Sequence, residues 1–399
     1  MTLFSRSQTL PAVRRSDTRL RLAFVSHPGR PNYEFSWLSC LPDCDLVIID
    51  ELTADYPAIG PHVELRPLPT SRLFTRHLRS TATLARYIGL SRALVGCDAI
   101  LTLESYSTTT AQALWVSHST GVPVLPLVYE LISDHPIYTL QPYRSISRFA
   151  SQAAAGFIAV TAAARDHLIE RRFDPALSTV VHPGVVFGPA TPRLRSNSEG
   201  LKLLFLGRLA QHKGFDTFLD VYDQLTNSPI LASATVIGDG PYRPLAEQRS
   251  ATRPDFFYLG QLDHRLVLEE ASKHDVLLAP YRDTFRFGRK VGSEQFGFGI
   301  VEAMASGLAI ITTKCGAMEE IVGPSNFTLS QGNYAGIIPL LSRLNSNRDA
   351  LTALSVENVA RAHSLFGLEA QAKSLRSYVA ETIRATSAGP TPLHQDYKR

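Results

Sequence analysis

Two glutamates bracket a glycine turn in the stretch EQFGFGIVEAMASGLAIITT, which runs from Glu294 to Thr313. Glu294 and Glu302 are separated by seven residues, and Phe-Gly-Phe-Gly lies between them. Gly297 and Gly299 let the backbone turn tightly and approach a ligand closely. The apolar pattern that follows predicts a helix starting near Gly299, with its free N–H groups facing the turn. Donors and dipole together suit such an end to phosphate. Glu302 is then expected in the first turn, where a carboxylate can accept from two neighbouring hydroxyls such as the 2′ and 3′ of a ribose. Glu294, before the turn, can accept from hydroxyls on another part of the same ligand. A diphosphate flanked by a ribose and a sugar meets all three features. A helix-capping acid and an unrelated surface acid would give the same spacing, because acids are common in first turns.

A second cluster is FLGRLAQHKGFD, residues 205–216. Arg208 follows a strand end and Gly207, and Lys213 lies five residues on, before Gly214 and a helix pattern. Two cations in a strand-to-helix loop suit a diphosphate, one as a planar fork and one as a point charge. In a group transfer they would also stabilise the charge on the leaving diphosphate. Two solvated loop cations are the commoner fate of such residues. VIGDGP (236–241) is a strand ending in a turn, either bordering a site or only turning the chain. YLGQLDH (258–264) is a strand end whose backbone could meet the edge of a base.

The elements that must position these residues follow from the whole chain. Its 399 residues are too many for one ordinary core, so two domains are expected. With 44% hydrophobic and 19% charged residues, the composition is globular rather than disordered. The formal net charge of +4 is too mild to argue for nucleic acid, and no arginine-aromatic recognition motif accompanies it. The four cysteines, Cys40, Cys44, Cys97 and Cys315, lack the spacing of a zinc site and are expected as free thiols in a reducing compartment. No apolar stretch approaches the length of a membrane span, and the first residues lack an apolar signal core. A cytoplasmic protein, peripheral on the inner membrane face if it meets membrane at all, is the expectation.

Short apolar runs alternate with helical stretches through the chain, which predicts βαβ units and parallel sheets. LRLAFVSH, CDLVIIDE, DAILTLES and GVPVLPLVYE are strands of a first series, and LKLLFLGRL, ASATVIGDGP, DFFYLGQL, HDVLLAPY and LAIITT of a second. The Pro-, Ser- and Gly-rich stretch 187–200 between them has linker composition. The expected organisation is a flexible basic tail (1–19), a first Rossmann-like domain on the acceptor side (20–186), the linker, and a second Rossmann-like domain that binds the donor (201–364). A C-terminal helix (365–385) returning to the first domain and a disordered tail (386–399) follow. The fold class is α/β, two doubly wound domains facing a cleft. Ligands in such sheets bind at the carboxyl ends of the strands.

Taken in order, Gly207-Arg208-Leu209, Lys213-Gly214, Gly238 to Pro241, Leu259-Gly260 and Glu294 to Gly307 resemble the motifs of the family-4 retaining glycosyltransferases of GT-B fold, the E-x7-E type. The similarity spans residues 20–385, strong in the second half and loose in the first, where FIAVTAAARDHLIERRFDPALSTVVHPGVV resembles a family segment. Five ordered motifs are more specific than any one of them. The resemblance implies transfer of a sugar from a nucleoside-diphosphate sugar, UDP- or GDP-linked, to a hydroxyl acceptor, with no cofactor and no metal. It implies that Arg208 and Lys213 hold the diphosphate, that Gly207, Gly297, Phe298 and Gly299 flank it or the sugar, and that Glu302 binds the ribose. It further implies that Glu294 steadies the transferred sugar and that Leu262 flanks the base. Many relatives carry a histidine at the end of the strand that here ends VPVLPLVYELISDHP, so Tyr129, Glu130 and His135 are the candidates on the acceptor or sugar side. The loop after the first strand offers Gly29 where relatives have two glycines.

Residues 71–90, SRLFTRHLRSTATLARYIGL, contain no acid. Read as a helix, they place Arg72, Arg76, Arg79 and Arg86 on one face and Leu73, Phe74, Leu78, Leu84 and Ile88 on the other. Such a helix can rest on anionic lipid headgroups or simply pack its apolar face on its own sheet. RDTFRFGRKVGS (282–293) is a longer loop than usual in the family and holds Arg282, Arg286, Arg289 and Lys290, suited to an anionic ligand or to solvent. The principal expectation is a retaining, metal-independent glycosyltransferase whose acceptor is a lipid, a polysaccharide or a small molecule. The alternative is a non-catalytic GT-B protein that binds nucleotide sugar or assembles with another transferase. Another GT-B enzyme, an epimerase or phosphorylase, is a weaker third.

Overall fold

The computed structural model describes residues 19–27, 37–41, 43–51, 62–72, 84–187, 200–226 and 228–387. The first half contributes β1 (Leu20–Val25), β2 (Cys44–Glu51), β3 (Val63–Leu68), β4 (Thr70–Arg72), β5 (Ala85–Tyr87), β6 (Ala99–Leu103), β7 (Val124–Val128), β8 (Phe157–Ala159) and β9 (Ser178–Val180). Seven of these form one sheet in the order β3-β2-β1-β6-β7-β8-β9, with parallel pairings throughout. Neighbouring residues of a strand point to opposite faces. Ala23, Val25, Val47 and Ile49 enter one core, and Leu22, Phe24, Leu46 and Ile48 enter another. Covering both faces is what makes each strand a continuous apolar run in sequence.

The second half contributes β10 (Leu201–Leu206), β11 (Leu231–Ile237), β12 (Phe256–Gly260), β13 (Val276–Ala279), β14 (Thr284–Arg286), β15 (Arg289–Gly292), β16 (Ala309–Thr313) and β17 (Phe327–Leu329). Its main sheet runs β12-β11-β10-β13-β16-β17, again parallel. Phe215 and Phe218 of the helix Phe215–Leu225 pack against Phe205 on one face of the sheet. Ile300, Val301 and Met304 of the helix Phe298–Ala305 fill the other. Each such fully buried side chain stabilises the fold by about 1.5–3 kcal/mol relative to exposure.

The helix Leu368–Ser387 leaves the second half and packs Ala372, Leu375 and Val379 into the core of the first sheet. Tyr378 also donates from its hydroxyl to the Leu177 carbonyl at 2.6 Å. The two passages of chain between the halves touch each other, since Val185 N donates to Phe366 O at 2.8 Å and Val185 bridges Gly367.

Both sheets reverse their strand order beside their first strand, at β1/β6 and at β10/β13, and ligands of open α/β sheets bind in the crevice that such a reversal leaves. Among the described residues, no helix is long and apolar enough to cross a membrane. All four cysteines are free thiols, and burial pushes those of Cys44, Cys97 and Cys315 up to about 11, which makes them poor nucleophiles.

The structure corrects the helix expected over residues 71–90 at its described ends, 71–72 and 84–90. Thr70–Arg72 and Ala85–Tyr87 are the antiparallel strands β4 and β5, with Ser71 opposite Arg86 and Arg72 opposite Ala85. Ala85 and Tyr87 are buried while Arg86 is exposed, a period of two rather than 3.6. The Tyr87 hydroxyl bonds the Ser26 carbonyl and the Asp50 carboxylate, both at 3.2 Å, and this tie to the strand ends overrides the helical pattern. Arg76 and Arg79 lie outside the described residues, and so does Gly29.

Candidate active site

The loop after β10 carries Gly207, Arg208, His212 and Lys213 to the reversal point of the second sheet. Gly214 ends it with φ 71° and starts the helix Phe215–Leu225. A β-carbon on Gly214 would stand 2.1 Å from the Pro280 carbonyl oxygen, so only glycine lets this loop lie against the chain leaving β13. The Gly238-to-Pro241 turn holds the loop from the other side. Leu209 N donates to Asp239 O at 3.0 Å, and Tyr242 N donates to Leu209 O at 3.0 Å. That turn therefore braces the cationic loop.

The geometry brings Lys213 and Glu294 together across 81 residues of sequence. Lys213 Nζ lies 2.5 Å from Glu294 Oε2, and the two side chains are only 20% and 15% exposed. The same ammonium sits 4.5 Å from the centroid of the Tyr281 ring, a cation–π contact. Tyr281 is buried, and its hydroxyl is held well above its ordinary pKa by burial and then by the charges of Glu294, Cys315 and Glu302. Both acids of the motif thus act on one buried tyrosine. Arg208 is exposed and makes no hydrogen bond or ion pair among the described residues. His212, between the two cations, is a member of the cluster that sequence reasoning passed over. Partial burial, followed by the Lys213 charge, holds its pKa below the ordinary value.

Gly297, at φ 73°, ends the turn and caps the helix, which begins at Phe298, one residue before Gly299. Glu302 is therefore the fifth helical residue, in the second turn and not the first. Phe298 packs edge-on against Phe296, with centroids 4.8 Å apart. A β-carbon on Gly299 would lie 3.2 Å from Leu206 Cγ, so this glycine brings the helix close to the end of β10.

Glu302 Oε1 lies 3.2 Å from Nδ1 of His264, at the start of the helix His264–Ala271. The other ring nitrogen of His264, Nε2, lies 3.3 Å from the Val186 carbonyl, where the chain leaves the first domain. A carboxylate and a carbonyl only accept hydrogen bonds, so both contacts are satisfied together by the protonated ring. The bond to Glu302 accordingly raises the His264 pKa above its ordinary 6.5. A raised folded-state pKa adds stability that is fully present below pH 6.5 and lost as pH rises through the raised value. The expected outcome is that thermal unfolding finds His264→Ala less stable than the parent at low pH, with the gap closing as pH rises. Half-exposure of the ring keeps that gap modest. A gap independent of pH would contradict the protonated pair.

On the first-domain side, the candidates divide. Glu130 is buried, and its Oε1 accepts from Leu131 N at 3.0 Å and Ile132 N at 2.8 Å, so that oxygen shapes its own loop. Tyr129 is buried as well, its backbone N–H held by Glu104 Oε1 at 3.1 Å. His135 reaches across to the second domain. Its Nδ1 accepts from Ile137 N at 3.0 Å, which leaves the proton on Nε2, and that nitrogen donates to the Val291 carbonyl at 3.2 Å, three residues before Glu294. Glu104, at the end of β6, was not singled out by sequence. It is buried with φ 61°, a conformation that costs a non-glycine residue about 1–3 kcal/mol and concentrates at functional sites. Its side chain holds the N–H groups of both Tyr129 and Glu130, at 3.1 Å each.

Further contacts join the halves. The Glu320 carboxylate accepts from Ala162 N at 2.7 Å and Ala163 N at 3.3 Å, capping the helix Ala162–Glu170 of the first domain. His182 packs 6.2 Å from Phe296 and 5.1 Å from Phe366, ring to ring. Leu262 is half-buried and lines an open cavity of about 270 Å³ with Leu259, Leu266, Glu269, Glu270 and Lys273. None of Arg208, Lys213, Glu294 and Glu302 lines that cavity. Arg282, in the basic loop, is committed to the protein, pairing with Asp216 at 2.8 Å and bonding the Tyr334 hydroxyl at 2.9 Å.

Residues 200–347 match the family model of glycosyl transferases group 1. The 2-deoxystreptamine N-acetyl-D-glucosaminyltransferase of Niallia circulans is 27% identical over 176 residues, 43% of each chain. Sulfoquinovosyl transferase SQD2 of Arabidopsis thaliana is 25% identical over 258 residues, 59% of this chain and 48% of its own. A phosphatidyl-myo-inositol mannosyltransferase of Mycolicibacterium smegmatis is 26% identical over 204 residues, 51% of this chain and 49% of its own. The chain spans about half the length of these curated relatives. Among solved structures, Anabaena HepE in complex with UDP superposes with a TM-score of 0.68 at 15% identity, covering 91% of this chain and 100% of that one. Sucrose-phosphate synthase of Thermosynechococcus elongatus gives 0.62 at 16%, covering 92% and 100%. At such identities the likeness is one of fold. The chain therefore has the GT-B fold, and residues 200–347 of its second domain match the glycosyl transferases group 1.

Proposed function

We propose that the protein is a retaining glycosyltransferase that moves a sugar from a nucleoside-diphosphate sugar to a hydroxyl acceptor without a metal ion. The observation that carries this reading is the pairing of Lys213 with Glu294 at 2.5 Å, beside the tyrosine that also feels Glu302. A cation and two carboxylates at the strand reversal are what a diphosphate flanked by two hydroxyl-bearing rings requires. In this reading Arg208 and Lys213 take the diphosphate, and their charges stabilise it as it leaves. Amides at the start of the helix Phe298–Ala305, which lack intrahelical partners, supply further donors. Glu302 accepts from the ribose hydroxyls, and Glu294 from hydroxyls of the transferred sugar. The acceptor hydroxyl attacks from the face the diphosphate leaves, and a phosphate oxygen takes its proton, so configuration is kept.

The family match over the second domain supports the reading, as do the names of the relatives, all glycosyl-transferring enzymes. The Anabaena neighbour was also solved with UDP-glucose, which supports a nucleotide-sugar donor and leaves UDP and GDP both open here. The relatives' names point to a small molecule in one case and a lipid in another, and a polysaccharide is the third acceptor class to test. The test is to incubate the protein with UDP-glucose, UDP-N-acetylglucosamine or GDP-mannose and a mixed acceptor pool, and to assign the product anomer by NMR. The α anomer is expected from these α-linked donors. A β product would contradict the mechanism.

A further inference from the structure

The antiparallel strands β14 and β15 form a hairpin inserted between β13 and Glu294. Its base is fixed. Asp283 N donates to Gln331 Oε1 at 2.7 Å, Ser293 Oγ bonds the Asp283 carboxylate, and Val291 O accepts from His135 of the first domain at 3.2 Å. Its tip is the pair Phe287-Gly288, with φ of 50° and 73°. Two central residues with positive φ make the mirror-image turn that two-residue hairpins favour, in which asparagine or aspartate usually precedes the glycine. A phenylalanine with positive φ is a strained choice.

Folding does not explain that choice, because Phe287 is 97% exposed and Phe285 is 63% exposed. Arg286, Arg289 and Lys290 surround them, and no acid lies between Thr284 and Gly292. Arg286 and Arg289 make no ion pair among the described residues, while Lys290 lies 3.5 Å from Asp283. Exposed aromatic rings among cations fit the boundary between lipid headgroups and acyl chains, where rings enter the apolar layer and cations meet phosphates. A site built to hold a glycan would also offer carboxylates or amides to sugar hydroxyls, and the hairpin has neither.

We propose that this hairpin docks the protein on an anionic bilayer, with Phe287 and Phe285 entering the surface and Arg286 and Arg289 on the headgroups. Six residues separate Phe287 from Glu294. At about 3.3 Å per strand residue, the seven steps span at most about 23 Å, so docking holds Glu294 within about that distance of the lipid. The surface stands on exposure and charge, and does not depend on the transferase reading.

The test is co-sedimentation of the full chain with vesicles of equal parts phosphatidylglycerol and phosphatidylcholine, against vesicles of phosphatidylcholine alone. The parent protein is expected to bind the anionic vesicles preferentially. A Phe285→Ser/Phe287→Asn variant is expected to bind them at least about tenfold more weakly. An Arg286→Gln/Arg289→Gln variant is expected to lose about 25-fold, roughly fivefold for each arginine. Asparagine accepts positive φ, so an unchanged or raised thermal midpoint separates lost docking from misfolding. Nucleotide titration of the same variants separates this surface from the proposed donor site, since it is expected to match the parent. Three results would each overturn the proposal: no binding of the parent to anionic vesicles, variants that bind within twofold of it, or loss confined to binding of a polysaccharide.

Discussion

Glu302→Ala is expected to abolish sugar transfer and nucleotide binding while leaving the protein folded. In the proposed site its carboxylate accepts from two ribose hydroxyls. Hydrogen bonds to a charged group contribute about 1.5–3 kcal/mol each, so losing both lowers affinity by on the order of a hundredfold or more. Folding should tolerate the change. Alanine favours a helix at least as well as glutamate, and the side chain's ion-pair partner, His264, is half exposed and can hydrate when the carboxylate goes. Turnover measured beside thermal unfolding checks both halves. A variant with unchanged turnover would remove Glu302 from the site.

Lys213→Met is expected to have the second-largest effect, on rate and stability together. Removing a cation that stabilises a leaving group costs on the order of 10²–10³ in kcat. Methionine keeps the length of the stem but leaves Glu294, only 15% exposed, without its partner at 2.5 Å. An unsatisfied carboxylate in such a place destabilises by about 1–3 kcal/mol. Restoring the balance with Lys213→Met/Glu294→Gln should recover stability and leave the rate low. Urea unfolding and kcat on the three proteins separate the two roles. Recovery of kcat in the double variant would remove both Lys213 and Glu294 from the chemistry.

Much of the fold was legible because both faces of each sheet are covered. CDLVIIDE is β2 residue for residue, Cys44–Glu51, since a strand buried on both sides spells itself as an apolar run. β3 was not marked, because VELRPL is only partly buried and carries two charges and a proline. The described ends of the stretch 71–90 failed for a different reason. Its arginines and leucines fit a helical wheel, yet Tyr87 is drawn into contact with Ser26 and Asp50, residues 61 and 37 positions away. Such a tie cannot be seen in a local window.

The site divides in the same way. Lys213, Glu294 and Glu302 could be chosen from spacing because each belongs to a short ordered motif. Glu104 and His264 could not, since one acts through a left-handed backbone conformation and the other through a partner 38 residues on in sequence. The Phe-Gly turn of the hairpin was visible only as part of a long basic loop. Its exposure and its dihedral angles are what distinguish it.

The central claim is that the crevice between Lys213 and Glu302 holds a nucleoside diphosphate. The most direct measurement is calorimetric titration of the purified protein with UDP, GDP and ADP, repeated with Glu302→Ala. The account predicts that one nucleotide binds clearly more tightly than the others and that its binding is lost in the variant. Binding of the same nucleotide with the same affinity by the variant, or no binding of any nucleotide by the parent, would contradict it.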